Sequence, residues 1–161
     1  MIESLELLTK VRVYSLIECS NEKKDLIEKA KNSSNSAYAP YSGFHVGAAV
    51  LLEDGTIVTG NNQENAAYPS GLCAERTALF YTNAHYPDLA VKAIAIAAKT
   101  KGNFTKDICA PCGACRQVLV EVENRYNTPI QIIMYGENHI YEVDSIRDLL
   151  PFCFGKDSLN G

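Results

Sequence analysis

Long apolar runs are missing from this sequence: nothing approaches the ~18 to 20 residues needed to cross a bilayer. A basic excess is missing too. Fifteen Lys and Arg stand against 19 Asp and Glu, a net charge of −4, which offers no general attraction for nucleic acid. The opening stretch, Met1 to Glu6, carries acid where a secretion signal carries base. The chain therefore reads as cytoplasmic. No internal repeat or long linker divides it; the polar stretch Asn32 to Ser36 is short. With 161 residues, a single domain over 1–161 and a small-molecule partner are expected, with no nucleic acid and no membrane.

Histidine patterning is thin as well: His45, His85 and His139 are scattered, none at a ligand spacing. Cysteine is the exception. There are six, and three crowd into Cys109-Ala110-Pro111-Cys112-Gly113-Ala114-Cys115. In a reducing compartment such thiols are free or bind metal before they form disulfides. Cys19 and Cys153 read as small apolar residues.

Apolar periodicity predicts strands at 11–16, 46–52, 57–59, 91–98, 130–135 and 140–143, with Asp54-Gly55 as a hairpin turn. Helices are expected at about 23–37, at 73–81, from near Pro111 onward, and briefly at 145–150 before Pro151. Asn61 to Gly71 is a polar loop. Alternating strands and helices indicate an α/β layered domain around one mixed sheet.

Cys112 and Cys115, three residues apart, share one face of a helical first turn. Cys73 heads the preceding helix. Helix N-termini favour thiolate over thiol, so two helix heads can present three thiolates to one zinc. Three protein ligands leave a fourth position for water, the arrangement of catalytic zinc. Zinc brings that water's pKa from near 16 to roughly 7.

Glu75 is the acid expected beside it. An α-helix turns ~100° per residue, so side chains 73 and 75 of one helix point nearly opposite ways. Both serve one site only if Cys73 is the non-helical cap and Glu75 lies in the first turn. Alone, Glu75 would be ordinary capping chemistry. Three thiolates and Zn²⁺ sum to −1. Arg76 and Arg116, each directly after a motif, are candidates to donate hydrogen bonds to sulfur and restore the metal's acidity.

Two other readings stay open on these residues. A closed site of Cys73, Cys109, Cys112 and Cys115 would be structural zinc in a binding module. A redox dithiol is the second, without the strand–Cys-x-x-Cys–helix opening that supports one. What separates them is the combination of Cys73-Ala74-Glu75 with Pro111-Cys112-Gly113-Ala114-Cys115, the general form of the zinc nucleobase deaminase signature.

The sequence resembles the homotetrameric, three-cysteine class of cytidine deaminases from about Asp25 to Phe154. The resemblance is carried by Ala39-Pro40-Tyr41-Ser42-Gly43-Phe44-His45-Val46-Gly47-Ala48-Ala49, Asn62-Gln63-Glu64-Asn65-Ala66-Ala67-Tyr68, Cys73 to Ala78, Pro111 to Val118 and Leu149-Leu150-Pro151. It implies a three-layer αβα fold with a five-stranded mixed sheet, and one zinc per chain on Cys73, Cys112 and Cys115. It implies deamination of cytidine and deoxycytidine in pyrimidine salvage. In that chemistry water activated at zinc adds to the amino-bearing ring carbon while Glu75 shuttles protons to the ring nitrogen and the departing amine.

By the same resemblance, Asn62 and Glu64 bind the ribose 3′-hydroxyl, Phe44 stacks near the base, and Tyr68 lines the ribose end. Backbone carbonyls near Ala74 and Ala110 receive the exocyclic amino group. Phe154, with Phe152 as the alternative, enters the pocket of a neighbouring subunit, so the tetramer shares its active sites. Deoxycytidylate and tRNA-adenosine deaminases usually place His where Cys73 stands, and rank lower. Residues 1–24 lie outside the resemblance and are expected to extend the sheet or the subunit interface.

Overall fold

The computed structural model describes residues 2–159; Met1, Asn160 and Gly161, counted in the expected single domain, lie outside them. Its strands are β1 Arg12–Tyr14, β2 Phe44–Leu52, β3 Ile57–Asn61, β4 Val91–Thr100, β5 Asn103–Phe104, β6 Gln131–Tyr135 and β7 Ile140–Val143. The helices are α1 Asn21–Ser33, α2 Ala74–His85 and α3 Gly113–Tyr126. The strands form one sheet in the order β1-β7-β6-β4-β2-β3, with β5 hairpinned onto β4. β4 and β6 run parallel, joined by α3, and the other pairs are antiparallel.

The sheet therefore has seven strands rather than five. β3, β2, β4, β6 and β7 match the expected core, and β1 and the two-residue β5 are additions. β1 is held by more than its ladder. The Glu142 carboxylate accepts from Arg12 Nε at 2.9 Å, from Lys23 Nζ at 2.7 Å and from the Tyr14 hydroxyl. Residues 12–14 thus extend the sheet. A boundary at residue 24 cuts into α1, which starts at Asn21 behind the Ser20 cap.

Strand alternation sorts the core into two layers. Ala48, Val50, Ile94, Ile96, Ile132 and Met134 face α2 and α3. Ala49, Leu51, Ala93, Ala95, Ile133 and Tyr135 meet Leu26, Ile27 and Ala30 of α1. The result is the three-layer αβα arrangement. Close approach matters at Gly47, where a Cβ would sit 1.9 Å from the Ala30 carbonyl oxygen. Only glycine lets α1 lie that near the sheet.

Several boundaries differ from expectation, three of them at helices. The first helix ends at Ser33 and tightens into a 3₁₀ turn, Ser34–Ser36. Pro111 precedes the cap of α3 instead of occupying its first turn. The 145–150 helix is a single 3₁₀ turn, Ile146–Asp148. There the buried Glu123 carboxylate captures the Ile146 amide at 2.9 Å and the Ser145 hydroxyl. Pro151 then leaves no length for a longer helix.

Candidate active site and metal centre

α2 and α3 end their N-termini at the same place. Cys73 is the N-cap of α2, with extended backbone at φ −71° and ψ 154°. Cys112 is the N-cap of α3, at φ −67° and ψ 166°. Each cap carbonyl accepts the first intrahelical bond, Thr77 N to Cys73 O and Arg116 N to Cys112 O, both 2.9 Å. Glu75 falls in the first turn, as required if it and Cys73 serve one site. The extended cap turns its sulfur away from the helical screw.

The Cys73 and Cys112 sulfurs are 3.8 Å apart and those of Cys112 and Cys115 are 3.5 Å apart. All three lie within 4.8 Å of one another, the only such group of ligand atoms among the described residues. Cys109 is not part of it. Instead it packs against the core below α3, where burial pushes its thiol up to about 11. The closed four-thiolate reading fails on this geometry. Three soft donors on a compact face fit zinc with one position left for water.

The surrounding charges are uneven. Glu75 is 4% exposed; burial pushes its carboxyl pKa up, and the negative Cys73 adds to this. Arg76 reaches back one turn to place Nη2 3.5 Å from Cys73 Sγ. Arg116 does not do the same. Its Nε donates to Pro111 O at 2.8 Å and its Nη1 to Leu149 O at 2.6 Å. The expectation that it donates to sulfur is corrected: the bonds it makes go to two carbonyls, and it ties the Cys112 loop to the C-terminal turn.

A cleft of about 550 Å³ opens beside the cluster, lined by Tyr41, Asn62, Glu64, Tyr68, Cys73 and Arg76 among others. Glu64 accepts from the Tyr41 amide at 2.9 Å, the Ser42 amide at 3.3 Å and the Ser42 hydroxyl. The Ser42 hydroxyl first, then the Tyr41 amide, hold its pKa below the usual carboxylate range. Asn62 accepts from Val46 N at 2.8 Å and donates to Phe44 O at 2.9 Å, which anchors β3 to the start of β2.

Phe44, Ala74 and Phe154 are not among the residues that line this cleft. Phe44 begins β2, on the sheet face that carries the cluster by strand alternation. Ala74 is buried at the first position of α2. Phe154 and Phe152 are exposed at 58% and 85%, with Phe154 on a separate hollow beside Gln117 and Val118. Sequence reasoning passed over Tyr41 and Ser42 as site residues. Only their hydrogen bonds to Glu64 reveal the part they play, and no spacing rule announces that.

A family model for the cytidine and deoxycytidylate deaminase zinc-binding region matches residues 20–128. The chain belongs to that deaminase family. A cytidine deaminase from Sporosarcina psychrophila is 41% identical over 135 residues, covering 84% of this chain and 93% of the relative. One from Halalkalibacterium halodurans is 40% identical over 144 residues, covering 86% and 98%. The crystal structure of cytidine deaminase from Burkholderia pseudomallei superposes with a TM-score of 0.68 at 41% identity, over 81% of this chain and 97% of that one. This deaminase takes zinc as its cofactor, and the three-sulfur cluster is the ligand set it offers.

Proposed function

We propose that this chain hydrolyses the amino group from cytidine and deoxycytidine, giving the uracil nucleosides and ammonia in pyrimidine salvage. One observation carries the reading: three sulfurs cluster at two helix heads, Cys73 among them lines a nucleoside-sized cleft, and the buried Glu75 sits in the first turn that Cys73 caps.

Zinc bound to Cys73, Cys112 and Cys115 supplies Lewis-acid activation of water. The protein's own part is proton handling. Burial raises the Glu75 pKa, which favours the protonated carboxyl that gives its proton to the ring nitrogen and later serves the departing amine. In balance, one water is consumed, the ring carbon–amino bond breaks, a carbonyl forms and ammonia leaves. Arg76 offsets the cluster's excess negative charge from beside Cys73.

Glu64 and Asn62 grip the ribose. An ionised Glu64 accepts from a hydroxyl and repels a 3′-phosphate. Asn62 spends one acceptor and one donor on β2, which leaves one of each for the sugar. Tyr68, 76% exposed, covers the ribose end, Phe44 stacks near the base, and the carbonyls near Ala74 and Ala110 take the amino group. Phe154, or Phe152, crosses into a neighbouring site of a homotetramer, which accounts for aromatic rings standing in solvent on one chain. We place this single-domain enzyme in the cytoplasm; among the described residues no helix is long and apolar enough to cross a membrane.

The test is turnover by zinc-loaded protein of cytidine, deoxycytidine and cytidine 3′-phosphate, with uracil product and ammonia both measured. The first two should react and the third should not. Failure of both nucleosides removes the proposal, and native mass tests the tetramer separately.

A further inference from the structure

On the opposite side of the sheet from the sulfur cluster lies a second cleft, of about 450 Å³, lined by Asn35, Ser42, His45, Lys99, Thr100 and Lys101, with Gly43 and Gly102. Its chemistry is unlike the rest of this acidic chain. Two lysines, an imidazole, an amide and two hydroxyls face it, and no carboxylate lines it among the described residues. Neither lysine makes an ion pair among the described residues. Lys99 instead bonds the neutral Asn35 side chain.

The backbone places these groups deliberately. His45 and Lys99 are directly opposed partners in the β2–β4 ladder, on the α1 face of the sheet, so their side chains stand side by side. His45 Nδ1 is buried without a partner, which leaves Nε2 as the ring nitrogen able to meet a ligand. Lys101 occupies the β4–β5 turn at φ 51°, before Gly102 at φ 83°. Both central residues of such a turn need positive φ, and Asn or Gly is the comfortable choice at the first. A lysine there holds a charge at the cleft rim against backbone preference.

We infer that this cleft binds a phosphate group, carried by a nucleotide or present as the free ion, with Lys99, Lys101 and His45 as its donors. Three donor side chains and a lining without carboxylates suit an oxyanion, although Glu64, across the Ser42 wall, acts on His45 through its charge; the volume admits more than the ion alone. The cleft shares Ser42 with the substrate cleft. Ser42 bonds Glu64, the proposed ribose acceptor, so the Tyr41–Gly43 turn is a common wall. Occupancy on one side therefore tunes nucleoside affinity on the other. That coupling, unlike the binding itself, rests on the proposed nucleoside reading.

Calorimetric titration of the zinc-loaded protein with inorganic phosphate, and separately with uridine 5′-monophosphate, tests the binding without relying on turnover. Saturable binding is expected at low ionic strength, weakened about tenfold by Lys99→Gln and again by Lys101→Gly, since each removes one charged hydrogen bond. Lys101→Gly relaxes the turn, so its melting temperature should not fall. Tighter binding of the monophosphate that both variants weaken assigns the occupant as a nucleotide. Tighter binding that neither variant weakens belongs to the substrate cleft and overturns the nucleotide assignment, and equal binding assigns the free ion. No saturable binding at millimolar phosphate, or equal binding by both variants and the parent, overturns the site. Phosphate that binds while nucleoside KM stays fixed overturns the coupling.

Discussion

Arg76 and Cys73 meet across one turn of α2, Nη2 to Sγ at 3.5 Å, while the same guanidinium buries its Nε without a partner. A buried orphan donor is costly. It is tolerated here in exchange for a fixed positive charge next to three sulfurs that together outweigh a divalent cation. Arg76→Ala should lower turnover about tenfold or more with the fold retained. Unchanged turnover in a zinc-replete Arg76→Ala protein would contradict the charge argument.

Cys109 and Cys112 repeat the spacing of Cys112 and Cys115, yet only the latter pair joins Cys73. Metal content by elemental analysis should therefore stay at one zinc per chain in Cys109→Ser and fall in Cys115→Ser. Zinc loss from Cys109→Ser would restore the closed structural site.

Metal binding should displace protons. Within the sulfur cluster the Cys73 thiol is pulled down to about 5, first by its hydrogen bond with Cys115, and Cys115 is pushed up by the same bond. One sulfur ionises readily and its neighbour keeps its proton. Zinc affinity should accordingly weaken as pH falls, with proton release seen as a buffer-dependent heat of binding. A pH-independent affinity would show that the thiols are already ionised without metal.

Glu142 carries the pH dependence of folding at the opposite edge. Its burial pushes the carboxyl pKa up, but bonds from Lys23, Tyr14 and Arg12 outweigh burial and hold it below its ordinary value. A lowered folded-state pKa contributes stability above the ordinary carboxylate range, which disappears as pH falls toward the folded value. Thermal unfolding of Glu142→Gln should show a loss of roughly 2 kcal/mol at neutral pH, because the two cations lose their buried partner. The gap to the parent should narrow in acid. A constant gap from neutral pH down into the acid limb would remove this carboxylate from the linkage.

The metal motif was readable because chemistry restricts it: sulfur at two helix starts with an acid two positions on admits few geometries, and the need for a non-helical Cys73 followed from the helical repeat alone. The central strands were readable from runs such as Val91 to Ala98, buried on both faces except at Lys92. β1 was clear as a strand but not as a partner of β7, since that pairing depends on Glu142, a residue about 130 positions away whose acid looks like any surface acid. Arg116 misled for a related reason. Its place after Cys115 suggests sulfur, whereas its reach is set by the Leu149 carbonyl, supplied by a distant turn. Side-chain partners contributed by remote segments leave no periodic trace.

The most direct test compares the parent with Glu75→Gln, both assayed for bound zinc and for loss of cytidine absorbance. The variant should keep one zinc per chain and lose at least about 100-fold in turnover, the usual cost of removing a general acid–base group. Turnover near the parent's in a zinc-loaded Glu75→Gln protein would contradict the account, because proton transfer would then run through another group.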